Sequence, residues 1–208
     1  MKKSEKRVPG RPRAFDKASA LEAAIEVFWT AGFANASLDD LTFAMKISRP
    51  SLYSAFGDKE ALFNSCAEVY GDRVIARVKT VIDNADTGRD ALSRIYGGAI
   101  EMYTKPAPVP RGCLFAASLL SDVAVAPPLK DAVTQQLFRL EGAMRDLFER
   151  FPPPGTFPAR AARLGYNTLY GLACRARLGI PAAVLQEDAE TFVTLIYPGA
   201  EQLSPRLN

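Results

Sequence analysis

The chain has 208 residues, of which 48% are hydrophobic and 24% charged, with a net charge of +3 and no histidine. That is enough apolar material for one or two folded domains with a substantial core. The missing histidine removes the commonest general base, metal ligand and triad partner, which excludes zinc hydrolases and Ser-His-Asp enzymes.

No apolar run approaches the roughly 20 residues of a membrane span, and no apolar segment of signal-peptide type follows the Lys/Arg-rich N-terminus. A soluble, cytoplasmic protein is expected. Cys66, Cys113 and Cys174 are odd in number and far apart, so reduced thiols are expected rather than a disulfide framework or a metal cluster. There is no Gly-x-Ser-x-Gly elbow, phosphate-binding Gly-x-x-x-x-Gly-Lys loop or strand-linked Gly-x-Gly-x-x-Gly. The acidic pairs Asp39-Asp40 and Glu187-Asp188 fall at helix starts or on solvent faces. Neither an enzyme nor a cofactor or metal is expected.

Residues 1–13 form a basic arm: Lys2, Lys3, Lys6, Arg7, Arg11 and Arg13 stand against Glu5, while the remainder of the chain is slightly acidic. Concentrated positive charge favours phosphate contacts. Pro12 keeps the arm extended, so Gly10-Arg11-Pro12 suits a minor groove. A solvated tail that merely aids solubility has the same composition.

Asp16 opens a first helix whose Leu21, Ala24, Ile25, Phe28 and Trp29 recur at helical spacing and which Ala31-Gly32-Phe33 closes. Ser37 is a good N-cap, and Asp40 completes a capping box, so a second helix begins at about Leu38. Leu38, Leu41 and Met45 give it one apolar face; Lys46-Ile47 interrupts the pattern and Ser48 caps a third helix. There Leu52 and Phe56 face inward, which leaves Arg49, Pro50, Ser51, Tyr53 and Ser54 near the N-terminus or outside, where they can touch DNA. Gly57 fits a left-handed helix end and Asp58 the next N-cap. Lys59 then stands where charge and backbone N–H groups can meet a phosphate together. Helix-turn-helix pairs without DNA function are common, so the turn alone leaves DNA binding open.

The run from Ser37 through Ser48-Arg49-Pro50-Ser51-Leu52-Tyr53, Phe56 and Lys59-Glu60-Ala61-Leu62-Phe63, with the preceding helix, resembles the DNA-binding domain of the TetR family of repressors. The resemblance covers roughly Arg11 to Cys66; beyond it only size and helical character agree. One departure is Lys46, where the family usually has glycine. A side chain there costs about 1 kcal/mol if the backbone is left-handed.

A helical pattern continues from Lys59 through Val69, Tyr70, Val74 and Val78 to about Ile82, long enough to link two domains. Residues 83–88 break it. The next helix carries Leu92, Ile95, Tyr96 and Ile100, and Lys105 to Gly112, with Pro106, Pro108 and Pro110, is an extended loop. A sixth helix spans Cys113 to about Ala126. Pro127-Pro128 opens a seventh through Leu137, Leu140, Met144 and Phe148, and Phe151 to Pro158 is a second proline-rich connection. The last two helices run from about Ala159 to Leu178 and from about Ala183 to Tyr197.

The resemblance implies an all-α fold of about nine helices: a helix-turn-helix domain over residues 14–58 (the motif itself at about 38–57) and a helical ligand-binding and dimerisation domain over 59–208. It further implies a homodimer through the last two helices, with Leu164, Leu172, Leu185, Phe192 and Ile196 at the interface. Two recognition helices would then sit about 34–36 Å apart on a palindromic operator. Leu164, Leu172 and Phe192 can equally close the chain's own core. A ligand site would draw on Tyr70, Tyr96, Met102, Tyr103, Phe115, Phe138, Met144, Phe148, Tyr166 and Tyr170, an apolar-aromatic set that packed core explains as readily.

Together these features outline a repressor that holds double-stranded operator DNA through Arg11, Arg13, Ser37, Arg49, Pro50, Ser51, Tyr53, Ser54 and Lys59 until a small hydrophobic or aromatic effector displaces the fourth helix. Arg49 is the expected base contact; Tyr53 and Lys59 are expected on phosphates. Cys113, between Arg111-Gly112 and Leu114-Phe115, is either a thiol sensor activated by a helix start and a nearby arginine or a small core residue. Two other functions fit the same chain: constitutive DNA binding without an effector, and a helical small-molecule-binding protein that no longer reads DNA.

Overall fold

The computed structural model describes residues 15–105, 110–121 and 127–199, all helix and connection with no strand among them. The helices are α1 (Lys17–Asn35), α2 (Leu38–Met45), α3 (Arg49–Phe56), α4 (Lys59–Asp83), α5 (Gly88–Thr104), α6 (Leu114–Ser121), α7 (Pro127–Arg150), α8 (Pro158–Arg177) and α9 (Ala182–Ile196). The basic arm with Arg11 and Arg13, the loop segment containing Pro106 and Pro108, and the end expected for the sixth helix lie outside the described residues.

Side-chain caps start the N-terminal helices where the sequence puts them. Asp16 accepts from the N–H groups of Ala18 and Ser19, and Ser37 and Asp40 exchange both bonds of a capping box. Ser48 accepts from Ser51 N–H, Asp58 from Ala61 N–H and Thr87 from Asp90 N–H. Helix α1 loses helical geometry at Gly32 (φ 78°, ψ 164°), a backbone state that its missing Cβ permits.

Two apolar clusters make up the core. In the first, Phe63 of α4 meets Phe28 and Phe33 of α1 edge-on, with ring centroids 5.2 and 5.5 Å apart. Trp29 meets Tyr70 at 5.1 Å, and Tyr70 meets Phe115 of α6 at 5.0 Å. Edge-to-face contacts of this kind add to plain area burial. The rings therefore form a continuous path from α1 through α4 into α6. The second cluster gathers Leu92, Tyr96, Ile100, Leu147, Phe148, Leu172, Leu185 and Val193 from α5, α7, α8 and α9.

Helix α4 spans both regions, with Leu62, Phe63, Cys66, Ala67 and Tyr70 in the first cluster and Ile82 in the second. It runs along α7 and approaches closely at Gly71, where a Cβ would come within 2.3 Å of Gln136 Oε1. That buried amide oxygen accepts from Arg139 at 2.8 Å, and Arg139 also reaches Asp72 of α4 at 2.5 Å. The polar group in the helix interface is thus satisfied.

Candidate DNA-binding interface and ligand cavity

Helix α3 is seated by Leu52, which is fully buried, and by half-buried Phe56, whose ring lies 6.0 Å from that of Phe15. Its opposite side leaves Arg49, Pro50, Tyr53 and Ser54 exposed, with Ser51 half-buried beside the Ser48 cap. Ser37 Oγ is occupied by the capping box, donating to Asp40 Oδ2 at 2.5 Å and accepting from Asp40 N–H at 3.0 Å. Lys59 Nζ lies 4.5 Å over the ring of Phe33, so a cation–π contact holds it at the start of α4.

The turn between α2 and α3 is left-handed at Lys46 (φ 55°, ψ 39°), the backbone state in which glycine is preferred. Gly57 departs from the expected left-handed helix end: φ is 80° but ψ is −145°. Only this one residue separates α3 from the extended Asp58 cap, so the chain must reverse there at once. Added Cβ atoms would also crowd Ala61 Cβ at 3.1 Å.

Two exposed residues of α2, Asp39 and Phe43, are not among the expected contacts. Asp39 Oδ1 accepts from Arg49 Nε at 3.0 Å and lies 2.8 Å from its Nη2. One turn further on, Phe43 is 88% exposed. An acidic first turn reads as helix-start chemistry, and nothing local reveals a partner ten residues away.

Where the two apolar clusters meet lies a cavity of about 40 Å³. Of the ten aromatic and Met residues considered, Tyr70, Met102, Tyr103, Met144, Tyr166 and Tyr170 line it. Four others do not. Tyr96 turns into the second cluster and donates to Gly165 C=O at 2.9 Å; Phe148 packs there too, its ring 6.2 Å from Tyr197. Phe115 is spent against Tyr70, and Phe138 points outward, 68% exposed on α7. Val74, Val78, Cys113, Leu140 and Leu169 complete the wall. Helical spacing could have found four of them: Tyr70-Val74-Val78, Leu140-Met144 and Tyr166-Leu169-Tyr170 each share one face.

Burial raises the pKa of the Tyr70, Tyr103 and Tyr166 phenols, so they remain protonated donors. Of the two readings of Cys113, the core residue is the one favoured, because burial raises its pKa and outweighs the N–H groups of the helix start. The neighbouring Arg111 is directed elsewhere: its guanidinium lies 4.6 Å over Trp29 and pairs with Glu26. Burial likewise pushes the Cys66 thiol up to about 12. All three cysteines are free.

The loop before α6 connects this cavity to α1 and α8. Trp29 Nε1 donates to Gly112 C=O at 3.2 Å, and Arg177 donates to Arg111 C=O at 3.2 Å. Gly112 has φ 65° and presses against the Ala173 carbonyl, which a Cβ would approach to 2.4 Å.

On the last two helices, Leu172, Leu185 and Ile196 face the chain's own core, and Phe192 is half-buried against Tyr96 at 5.8 Å. Leu164 is exposed, as are Leu178, Val184 and Leu195. Among the described residues no helix is long and apolar enough to cross a membrane, and no group of three acidic or Cys side chains could hold a metal ion.

The nine helices of the described residues, with a capped helix-turn-helix at their N-terminal end, have clear relatives. The profile described as "Bacterial regulatory proteins, tetR family" matches residues 20–66. The HTH-type transcriptional repressor BdcR of Escherichia coli (strain K12) is 30% identical over 152 residues, covering 73% of this chain and 75% of that protein. The repressor ComR of the same organism is 32% identical over 108 residues, a match that spans about half of each chain, 52% of this one and 51% of ComR. Among solved structures, the TetR family transcriptional regulator CifR, as a cysteine mutant complexed with 26-bp double-strand operator DNA, is 30% identical with a TM-score of 0.81, covering 91% of this chain and 100% of that one. The fold and the site define a DNA-binding transcriptional regulator. The chain belongs to the tetR family of bacterial regulatory proteins.

Proposed function

We propose that this protein is a ligand-responsive repressor of the cytoplasm that binds a palindromic operator as a homodimer and is released by a small, uncharged, apolar or aromatic effector. The observation that carries this reading is the course of α4. It starts beside α3 with Lys59 and supplies Tyr70, Val74 and Val78 to the cavity wall, about 17 to 29 Å further along at 1.5 Å per residue. A change of cavity shape is therefore also a change in how the DNA-facing end is held.

In this reading Arg49 contacts a guanine edge. Pro50, Ser51 and Ser54 line the groove, and Ser37, Tyr53 and Lys59 fix the backbone register. Arg11 and Arg13 of the arm add minor-groove and phosphate contacts. Residues 14–58 form the DNA-reading unit and 59–208 the sensing and pairing unit. The second subunit covers the exposed Leu164, Leu178, Val184 and Leu195 along α8 and α9. No catalytic role is proposed.

Among the described residues the cavity wall carries phenols, thioethers, a thiol and aliphatic groups but no acidic or basic side chain, which favours an uncharged effector. At about 40 Å³ the cavity has room for roughly one water, far below the roughly 300–1,000 Å³ of a drug-sized site. An effector must open it, and so binds the open state better than the closed one. A typical coupling of about 1–3 kcal/mol would lower operator affinity some 5- to 150-fold.

The test is selection of bound fragments from random DNA at about 0.1–0.2 M salt, which suppresses non-specific phosphate binding. An enriched palindrome is expected; no enrichment at any salt would sink the repressor reading. Given a palindrome, uncharged benzyl alcohol should release it more readily than benzoate or benzylamine. Equal effects of all three would remove the argument from the cavity wall.

A further inference from the structure

The exposed pair between α2 and α3 has no structural duty that explains it. The capping box of α2 is closed by Ser37 and Asp40 without Asp39. The Asp39 and Arg49 side chains are 78% and 54% exposed, where an ion pair adds little to stability. Yet the two side chains come from different helices and meet at the N-terminus of the helix that reads DNA.

We propose that Asp39 is a specificity-determining positioning residue, one that aims Arg49 at a single guanine and withholds it from phosphates. The proposal rests on the DNA-binding reading above. Asp39 Oδ1 takes Nε and Nη2, one edge of the guanidinium. Among the described residues no partner takes the end-on edge, formed by the outward N–H groups of Nη1 and Nη2. That edge presents two parallel donors, the pattern that matches guanine O6 and N7. An arginine fixed on one edge has fewer orientations from which to reach a neighbouring base or a phosphate.

Charge acts in the same direction. A carboxylate at a DNA-facing surface is repelled by the phosphates of every sequence, and pairing cancels the sequence-independent attraction that a lone Arg49 would supply. Asp39 thus weakens binding to all DNA while the Arg49 fork restores it where a guanine accepts both donors. The net effect is a larger difference between right and wrong sites.

The experiment is fragment selection followed by salt titration, run in parallel on the full chain and on Arg49→Ala, Asp39→Ala and Asp39→Asn. Arg49→Ala should erase a guanine preference at one position of each half-site, and Asp39→Ala should weaken the preference at that same position at least several-fold. Asp39→Ala should also bind non-specific DNA more tightly, with the log–log salt slope steeper by about 0.9 as Arg49 becomes a phosphate contact. Asp39→Asn, which keeps an acceptor for Nε, should retain more of the guanine preference than Asp39→Ala. A purely structural role would change neither the base preferred nor the salt slope. If the unaltered chain enriches a palindrome and Asp39→Ala keeps its guanine preference and salt slope, the positioning role is overturned while DNA reading stands. If the unaltered chain enriches nothing, DNA reading itself falls, and this role with it.

Discussion

Helices α1 to α5 and helices α8 and α9 begin in opposite ways. Asp16, Ser37, Ser48, Asp58 and Thr87 each lend a side-chain oxygen to the first turn that follows. Helices α8 and α9 start after Phe157 and Pro181 with no side-chain cap. The starts of α1 to α5 are therefore fixed by hydrogen bonds between residues two or three apart, each satisfying an otherwise orphaned N–H. The C-terminal helices are positioned by apolar contacts between segments far apart in sequence. The first turns of α1 to α5 have their geometry fixed locally, whereas α8 and α9 are held by packing that can rearrange.

Core substitutions should hurt both regions most. Phe63→Ala removes a fully buried ring that two others meet edge-on, and should lower stability by about 3–5 kcal/mol. Chemical denaturation followed by far-UV circular dichroism measures this. A loss below about 1 kcal/mol would mean that the ring cluster does not anchor α4 to α1.

The next test targets the joint between the regions. Gly112→Ala forces a side chain onto a backbone at φ 65° and against the Ala173 carbonyl, and should cost about 2–3 kcal/mol. Gly155→Ala meets a similar φ of 70° but no atom within 4 Å, so it should cost only about 1 kcal/mol. The chain's single tryptophan donates to the Gly112 carbonyl, so its emission should shift in the first variant and not in the second. Equal costs would show that the contact with α8 is soft.

Caps come next. Ser37→Ala breaks the capping box and should cost about 1 kcal/mol. Lys46→Gly should recover up to about 1 kcal/mol, because glycine accepts the left-handed turn, less what it adds to the freedom of the unfolded chain. Thermal melts of the two variants, moving in opposite directions, would place the strain at the turn rather than in α2.

This local logic is why one end of the molecule was legible from its sequence and the other less so. Ser37 with Asp40, Ser48, and Gly32 as the break in α1 carry their partners or their backbone demands within four residues. Asp39 with Arg49 does not, and the pair appears only when the turn folds α2 against α3. Tyr70 and Tyr96 are both tyrosines on helices, yet one faces the cavity and the other Gly165, a choice made by α8 and not by either residue's neighbours. The family resemblance implied an interface at Leu172, Leu185 and Ile196, and spacing could not tell that from core, whereas packing of α5, α8 and α9 turns them inward. The helical faces were visible; which partner covers each face depends on contacts across tens of residues.

Acid titration sharpens the contrast with the smallest effect. Hydrogen bonds from Ser19 and Ala18 lower the pKa of Asp16 below 3.8, and those from Ser37 lower Asp40 likewise. A carboxylate whose folded pKa is depressed contributes stability that is fully present above its unfolded value and is lost as pH falls through the folded one. Both contributions should therefore persist at pH 4 to 5 and fade below 3.8. The amide protons of Ala18, Ser19 and Ser37, which donate to these carboxylates, should titrate with midpoints below 3.8 in an NMR pH series. The first-turn amides of α8 and α9 have no capping carboxylate to follow and should stay flat over the same range. Midpoints at or above 3.8 for the three capped amides would mean that the caps do not hold the charged form, and that α1 and α2 owe their positions to packing as the C-terminal helices do.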